Sequence, residues 1–232
     1  MCGRYQLKDP KSQYELEFSI KGPVPNWKPR VNFCPTNYGP FVTAEHEMRA
    51  GHWGLIASWE KEGKMQRPTF NARAETVFKL PTFRSAYKSR RCIVPADAFY
   101  EWSGPKGNRI PHEIKRKDGK PLALAGLWET WEAKDKSERI VSYTIIITTP
   151  NEFMKQIHDR MPVILEHADY DKWLNGSPEE YGELMKPAPE NILEERIVNK
   201  ALNRAGTEGD WLLDPQATPP LQEAAEAAAN LL

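Results

Sequence analysis

Ser142-Tyr143-Thr144-Ile145-Ile146-Ile147-Thr148-Thr149-Pro150 is the stretch that decides how this chain folds. Seven of its first eight residues are β-branched or aromatic, and Pro150 stops the run. Such side chains suit a pleated surface, and an apolar run of this length without alternation reads as a strand buried on both faces. Working outward, shorter runs of the same kind fall at residues 51–56, 92–94, 98–102, 112–115, 122–128 and 162–165. Lys117-Asp118-Gly119-Lys120 reads as a hairpin turn between two of them. Short helices are expected at residues 12–18, 72–77, 82–89, 151–156 and 169–174. Residues 22–38 are broken by Gly22, Pro23, Pro25 and Pro29 into an irregular segment. Strands outnumber helices and no long helix separates them. The expected fold is therefore α+β: a single compact domain around a curved, mostly antiparallel β-sheet or barrel with short peripheral helices. Residues 2–213 form the domain on this reading. Residues 214–232, rich in Pro, Ala and Glu, form a tail or a peripheral helix.

The chain has 232 residues, enough to bury a sizeable core. Lys+Arg and Asp+Glu both number 32, so there is no global basic footprint, and a polyanion would have to be held by a local patch. Cys2, Cys34 and Cys92 are too widely spaced for a disulfide framework or a paired-cysteine metal site. The cysteine usage suggests a reducing compartment. Neither a signal peptide nor a membrane span is expected.

The chain opens Met1-Cys2-Gly3-Arg4. Removal of Met1 would give Cys2 a free α-amine beside its thiol, with reference pKa values of about 8 and 8.5. The amine can condense with an aldehyde to an imine, and the thiol can then close a five-membered ring onto the same carbon. Alternatively, the cysteine merely follows the initiator. Three further stretches place polar groups where a core pattern would not. Phe70-Asn71-Ala72-Arg73-Ala74-Glu75-Thr76 sets polar side chains between alanines; Asn71 there suits a helix cap as well as a site. Arg91-Cys92-Ile93-Val94-Pro95-Ala96-Asp97-Ala98-Phe99-Tyr100-Glu101-Trp102 ends on a carboxylate among aromatics. Glu101 could pair with a surface lysine, but burial would raise its pKa toward the acid–base range. Ile157-His158-Asp159-Arg160 precedes the last apolar run, and His158 is a structural or a catalytic histidine. Arg4, Arg73 and Arg160 each lie within two residues of Cys2, Asn71 or His158, as an anion site beside a reactive centre would require.

Together these blocks resemble the SOS response-associated peptidase, or SRAP, family. The resemblance rests on MCGRY at 1–5, FNARAET at 70–76, RCIVPADAFYEW at 91–102, AGLWE at 125–129 and IHDRMPVIL at 157–165, with PRVNFCPTN at 29–37 and HWGLIASW at 52–59 as weaker support. Val31 and Cys34 depart from the aromatic and small residues common there in the family, which bears on packing and not on chemistry. The resemblance implies a compact α+β fold, binding to single-stranded DNA and covalent cross-linking to abasic sites. It implies that Cys2 is the covalent residue, that Asn71 positions the reacting groups, that Glu101 is the acid–base residue and that His158 assists sugar opening and reversal. It also implies that Arg4, Arg73 and Arg160 hold phosphates.

The expected product is a thiazolidine, which lacks the imine needed for strand cleavage. A basic groove is expected from Arg4, Arg73, Arg84, Arg90, Arg91 and Arg160, with Trp53, Trp59 and Trp102 as stacking platforms. Acidic residues are expected to gather at 179–195 and in the tail. No cofactor or metal is expected; a zinc site from Cys2, Cys34 and Cys92 with a histidine lacks any pair of nearby ligands. The partner is single-stranded DNA with abasic sites, not a membrane, and the protein is expected to be a monomer. The location would be cytoplasmic and nucleoid-associated in a bacterium, nuclear in a eukaryote. Two other classes stay open: an N-terminal-nucleophile amidohydrolase using Cys2, and a non-enzymatic DNA-binding module.

Overall fold

The Ser142 run lies at the heart of a closed circuit of strands. The computed structural model describes residues 2–220. Its strands are β1 (Arg4–Leu7), β2 (Arg30–Phe33), β3 (Tyr38–Val42), β4 (Met48–Trp53), β5 (Asn71–Arg73), β6 (Arg91–Ala96), β7 (Ala98–Ser103), β8 (Ile110–Arg116), β9 (Leu122–Glu132), β10 (Arg139–Thr148), β11 (Met161–Pro162), β12 (Ile164–Leu165) and β13 (Leu193–Ile197). The helices are α1 (Lys11–Glu17), α2 (Pro81–Ser89), α3 (Glu152–Lys155), α4 (Tyr170–Asn175) and α5 (Pro178–Glu183). β10 pairs antiparallel with β9, β9 with β6, β6 with β3 and β3 with β4, and β4 returns to β10 in parallel. This barrel carries β5 parallel to the far end of β10, with Ile145↔Asn71 and Ile147↔Arg73 in register. The second sheet runs β13-β8-β7-β1-β2 and is antiparallel throughout.

The missing alternation in the opening stretch has a direct cause. Tyr143, Ile145, Ile146 and Ile147 are all fully buried, because the barrel interior takes one face of β10 and covering segments take the other. Each such apolar side chain contributes roughly 1.5–3 kcal/mol by leaving water. Gly126 on β9 marks the tightest approach: a Cβ there would lie 2.9 Å from the Thr144 carbonyl oxygen and 3.0 Å from Cys92 Sγ. The sheets are joined through aromatics. Tyr5 on β1 stacks on Phe33 at 4.5 Å between ring centroids, and its hydroxyl meets that of Tyr143 on β10 at 2.6 Å. Cys34 and Cys92 are buried free thiols, the usual place of an unpaired cysteine.

Several expectations change. Lys117 to Lys120 do not close a hairpin: β8 pairs with β7 and β13, and β9 with β6, β10 and β12, so this turn carries the chain from one sheet to the other. Residues 72–77 are not a helix. The chain leaves β5 into turns, because pairing with β10 claims the backbone of Asn71, Ala72 and Arg73. The 22–38 segment contains β2 and the start of β3, and the acidic stretch near Glu195 contains β13. Asn199 Nδ2 donates to the carbonyls of Asp214 and Ala217, so the first residues of the expected tail are held against the domain. Residues 221–232 of that tail, and Met1, lie outside the described residues.

Candidate active site at the amino terminus

β1 pairs with β7 through Arg4↔Tyr100 and Tyr5↔Phe99. One step further along the same register, the start of the chain comes alongside Glu101. Cys2 is fully buried there, with its Sγ 4.0 Å from the Arg4 carbonyl oxygen. Asn71 reaches in from β5 and donates from Nδ2 to the Cys2 carbonyl at 2.9 Å. Its Oδ1 is buried and has no hydrogen-bond partner among the described residues. An unmatched acceptor aimed beside a backbone terminus is what a reacting amine would satisfy.

Glu101 is 1 % exposed, and His158 stands beside it, Nε2 to Oε2 at 3.7 Å. His158 follows α3, whose first turn is capped by the Asn151 side chain accepting from Met154 N–H. The Arg160 backbone N–H donates to His158 Nδ1 at 3.1 Å, and the Asp159 carboxylate lies 3.0 Å from the same nitrogen, while Nε2 is the edge turned to Glu101. Burial pushes the Glu101 carboxyl up to about 7; Asp159 adds to this, and the chain's amino terminus and the Trp102 N–H oppose it. Burial, then the amino terminus, lowers the pKa of His158, while Asp159 raises it. The Cys2 thiol is held well above its ordinary range by burial and then by Glu101. The reference values therefore mislead for this thiol: near neutral pH it is protonated in this structure.

Two clefts flank the terminus. One, of about 520 Å³, is lined by Gly3, Arg4, Glu101, Trp102, Arg109 and His158 among others. The other, of about 560 Å³, includes Trp59, Arg67, Asn71 and Arg73. The four expected reactive residues are thus brought to one place, with Glu101 and His158 on one side and Asn71 on the other. The expected phosphate and stacking residues divide. Arg73 is exposed on the second cleft, and Arg84 is exposed on α2. Arg4 is anchored to Asn32 Oδ1 at 2.7 Å and the Leu202 carbonyl at 2.8 Å, with its guanidinium 5.8 Å from the Trp102 ring centre. Arg160 pairs with Glu75, and Arg90 pairs with Glu129 at 2.7 Å.

Two residues do not fit the groove. Trp53 is 0 % exposed, its Nε1 donating to the Phe70 carbonyl at 2.8 Å, so it is a core residue and not a stacking platform. Arg91 is buried and donates to the carbonyls of Tyr87, Lys88, Trp173 and Leu174, closing the ends of α2 and α4. Its charge is spent inside the fold. Trp59, by contrast, is 56 % exposed, and Trp102 lines the first cleft. Arg67 and Arg109 were not singled out from sequence. Both sit in Gly- and Pro-containing loops, where a lone arginine carries no local signal. Asn203 also escaped notice: its Oδ1 accepts from Trp102 Nε1 at 2.5 Å, a contact between residues 101 positions apart. Among the described residues no group of three His, Cys, Asp or Glu side chains is placed to hold a metal ion, and no helix is long and apolar enough to cross a membrane.

A barrel with a second sheet, holding a buried amino-terminal cysteine between a carboxylate–histidine pair and an asparagine, defines a class. The chain belongs to the SOS response associated peptidase (SRAP) family, whose family model matches residues 1–205. Among its relatives is the abasic site processing protein YoaM of Bacillus subtilis, 38 % identical over 228 residues that cover 93 % of this chain and 99 % of that one. The abasic site processing protein HMCES of Xenopus tropicalis is 31 % identical over 192 residues, 65 % of this chain and 57 % of its own. A solved structure of a protein from Bacteroides thetaiotaomicron superposes with a TM-score of 0.84 at 26 % identity, covering 94 % of this chain and all of that one.

Proposed function

We propose that this protein binds single-stranded DNA and links Cys2 covalently to the ring-opened aldehyde of an abasic site, shielding the lesion from strand cleavage. The observation that carries the reading is Glu101, a buried carboxyl brought to about 7 beside the amino terminus. The reading also draws on the relatives, which are named as abasic site processing proteins. It requires removal of Met1, by the protein itself or by another enzyme, because an acylated Cys2 nitrogen is an amide and not a nucleophile.

The Cys2 amine attacks C1′ of the open sugar, and the carbinolamine loses water with a proton from Glu101. His158, its Nε2 edge beside Glu101, assists ring opening of the sugar and reversal of the link. The Asn71 Oδ1 accepts a hydrogen bond from the amine and holds it in line. The Cys2 Sγ then adds to the imine carbon and the thiol proton is passed to Glu101, closing a ring of C1′, N, Cα, Cβ and S. Because the thiol starts protonated, the amine reacts first and the sulfur second. That order separates this reading from an amidohydrolase, in which a Cys2 thiolate would have to attack at the outset. Both nucleophiles reside on one residue, so closure has a large proximity advantage.

The test mixes the protein, Met1 removed, with a single-stranded oligonucleotide carrying one abasic site and looks for a heat-stable, slower band on a denaturing gel. Wild type gives it. Cys2→Ala does not; it leaves at most an imine that disappears on heating and allows strand cleavage. A heat-stable band from Cys2→Ala rules out the thiazolidine.

A further inference from the structure

Ser103, at the end of β7, places its Oγ 2.7 Å from His112 Nε2, and His112 Nδ1 lies 2.9 Å from Glu195 Oε2. We propose that these three residues form a second reactive centre, a serine nucleophile that takes the acyl group of short carboxylic esters. None of them takes part in the chemistry at Cys2. They come from three neighbouring strands of the antiparallel sheet, where His112 faces Ile197 on β13 and Ser103 faces Ile110 on β8. The ladder therefore fixes their spacing instead of leaving it to a loop.

The hydrogen-bond directions follow from the donor inventory. An ionised Glu195 only accepts, so the neutral His112 ring carries its proton on Nδ1, and Nε2 is the acceptor for the Ser103 hydroxyl. This is the tautomer a general base needs. His112 is 8 % exposed and Ser103 is half-buried, so the base is shielded while the hydroxyl keeps a path to solvent. After Ser103 the chain turns at Gly104, φ +83°. The loop's own backbone bond runs from the Asn108 N–H to the Pro105 carbonyl. An N–H directly after the nucleophile is where an oxyanion donor stands in acyl transfer. Ile197, 50 % exposed, and half-buried Ile110 flank the pair and suit a short alkyl chain.

Ser103 Oγ attacks the ester carbonyl carbon while His112 Nε2 takes its proton. The C–O bond to the alcohol breaks, and His112 returns the proton to the leaving alkoxide. Water, deprotonated by His112, then releases the acid and restores the hydroxyl. Glu195 keeps the ring oriented and faces the imidazolium.

The experiment treats the full chain with a biotinylated fluorophosphonate, which forms a P–O bond to an activated serine as fluoride leaves, and in parallel follows hydrolysis of p-nitrophenyl butyrate. The expected result is stoichiometric label on the peptide containing Ser103, abolished in Ser103→Ala. His112→Phe and Glu195→Gln, each checked for an unchanged melting curve, lower the labelling rate at least ~100-fold and ~10-fold respectively. Cys2→Ala labels like wild type, and Ser103→Ala still cross-links abasic DNA, so failure of either centre is read independently. Absence of label on Ser103, or ester hydrolysis unchanged in Ser103→Ala, overturns the proposal and leaves the three residues as a strand-to-strand tie.

Discussion

In the proposed reaction, Glu101 concentrates the chemistry of the terminus in one side chain. A carboxyl near 7 is about half protonated at neutral pH, so it can both give and take a proton, whereas an exposed glutamate is almost wholly ionised there. Its raised pKa fixes the sign of the pH effect: acid catalysis of imine formation weakens as pH rises through about 7. Cross-linking rate measured from pH 5 to 9 should therefore fall on the alkaline side of 7. Glu101→Gln should lower the maximum by ~10²–10⁴-fold and remove that limb. An alkaline limb that survives in Glu101→Gln would assign it to another group. The same shift acts on stability. The folded state holds this proton more tightly than an unfolded chain with a carboxyl near 4.5, so its contribution is complete below 4.5 and is lost as pH rises through about 7. From sequence, Glu101 was readable as a carboxylate among aromatics, and its burial follows from that. Its neighbours were not readable, since Gly3 and His158 reach it only through strand pairing and a helix end.

Strands and loops decided which arginines and tryptophans face the clefts. Trp53 and Trp59 are six residues apart and alike in composition of surroundings, yet one ends β4 inside the core and the other stands in the loop beyond it. Trp53→Ala should cost ~3–5 kcal/mol in chemical denaturation through cavity formation. Trp59→Ala should leave stability within ~0.5 kcal/mol and weaken single-strand affinity by ~1–3 kcal/mol through lost stacking. Equal effects on stability would contradict this division. On β9, Gly126→Ala should destabilise by ~1–3 kcal/mol, because the new methyl meets the Thr144 carbonyl on the adjacent strand; a neutral change in melting would show that the two strands can part. The short strands β1, β2, β3 and β13 escaped sequence reading because four to five residues give too few periods to count. β5 escaped because three residues, with Ala72 in the middle and Ala74 following, look like a helix start.

At the scale of the whole molecule, a net charge of zero and a polyanionic partner are compatible only if basic side chains are sorted by position. Arg91 is consumed by helix ends, Arg90 and Arg160 by carboxylates, and Arg73 is left exposed on a cleft. Affinity for single-stranded DNA titrated against salt should fall with a slope that Arg73→Ala makes shallower by about 0.7. Arg90→Ala should leave the slope unchanged. The sequence by itself determined the barrel's central strands and marked Cys2, Asn71, Glu101 and His158 as candidates, because continuous apolar runs and polar residues out of pattern are local signals. Only the tertiary structure decided which tryptophans and arginines face outward, how Asn203 and Arg109 join the cleft, and that Ser103, His112 and Glu195 meet. Those facts depend on how segments far apart in the chain pack together, as Ser103 and Glu195 do across 92 positions and Trp102 and Asn203 across 101, and that arrangement is set by the packing of the whole and not by any one segment.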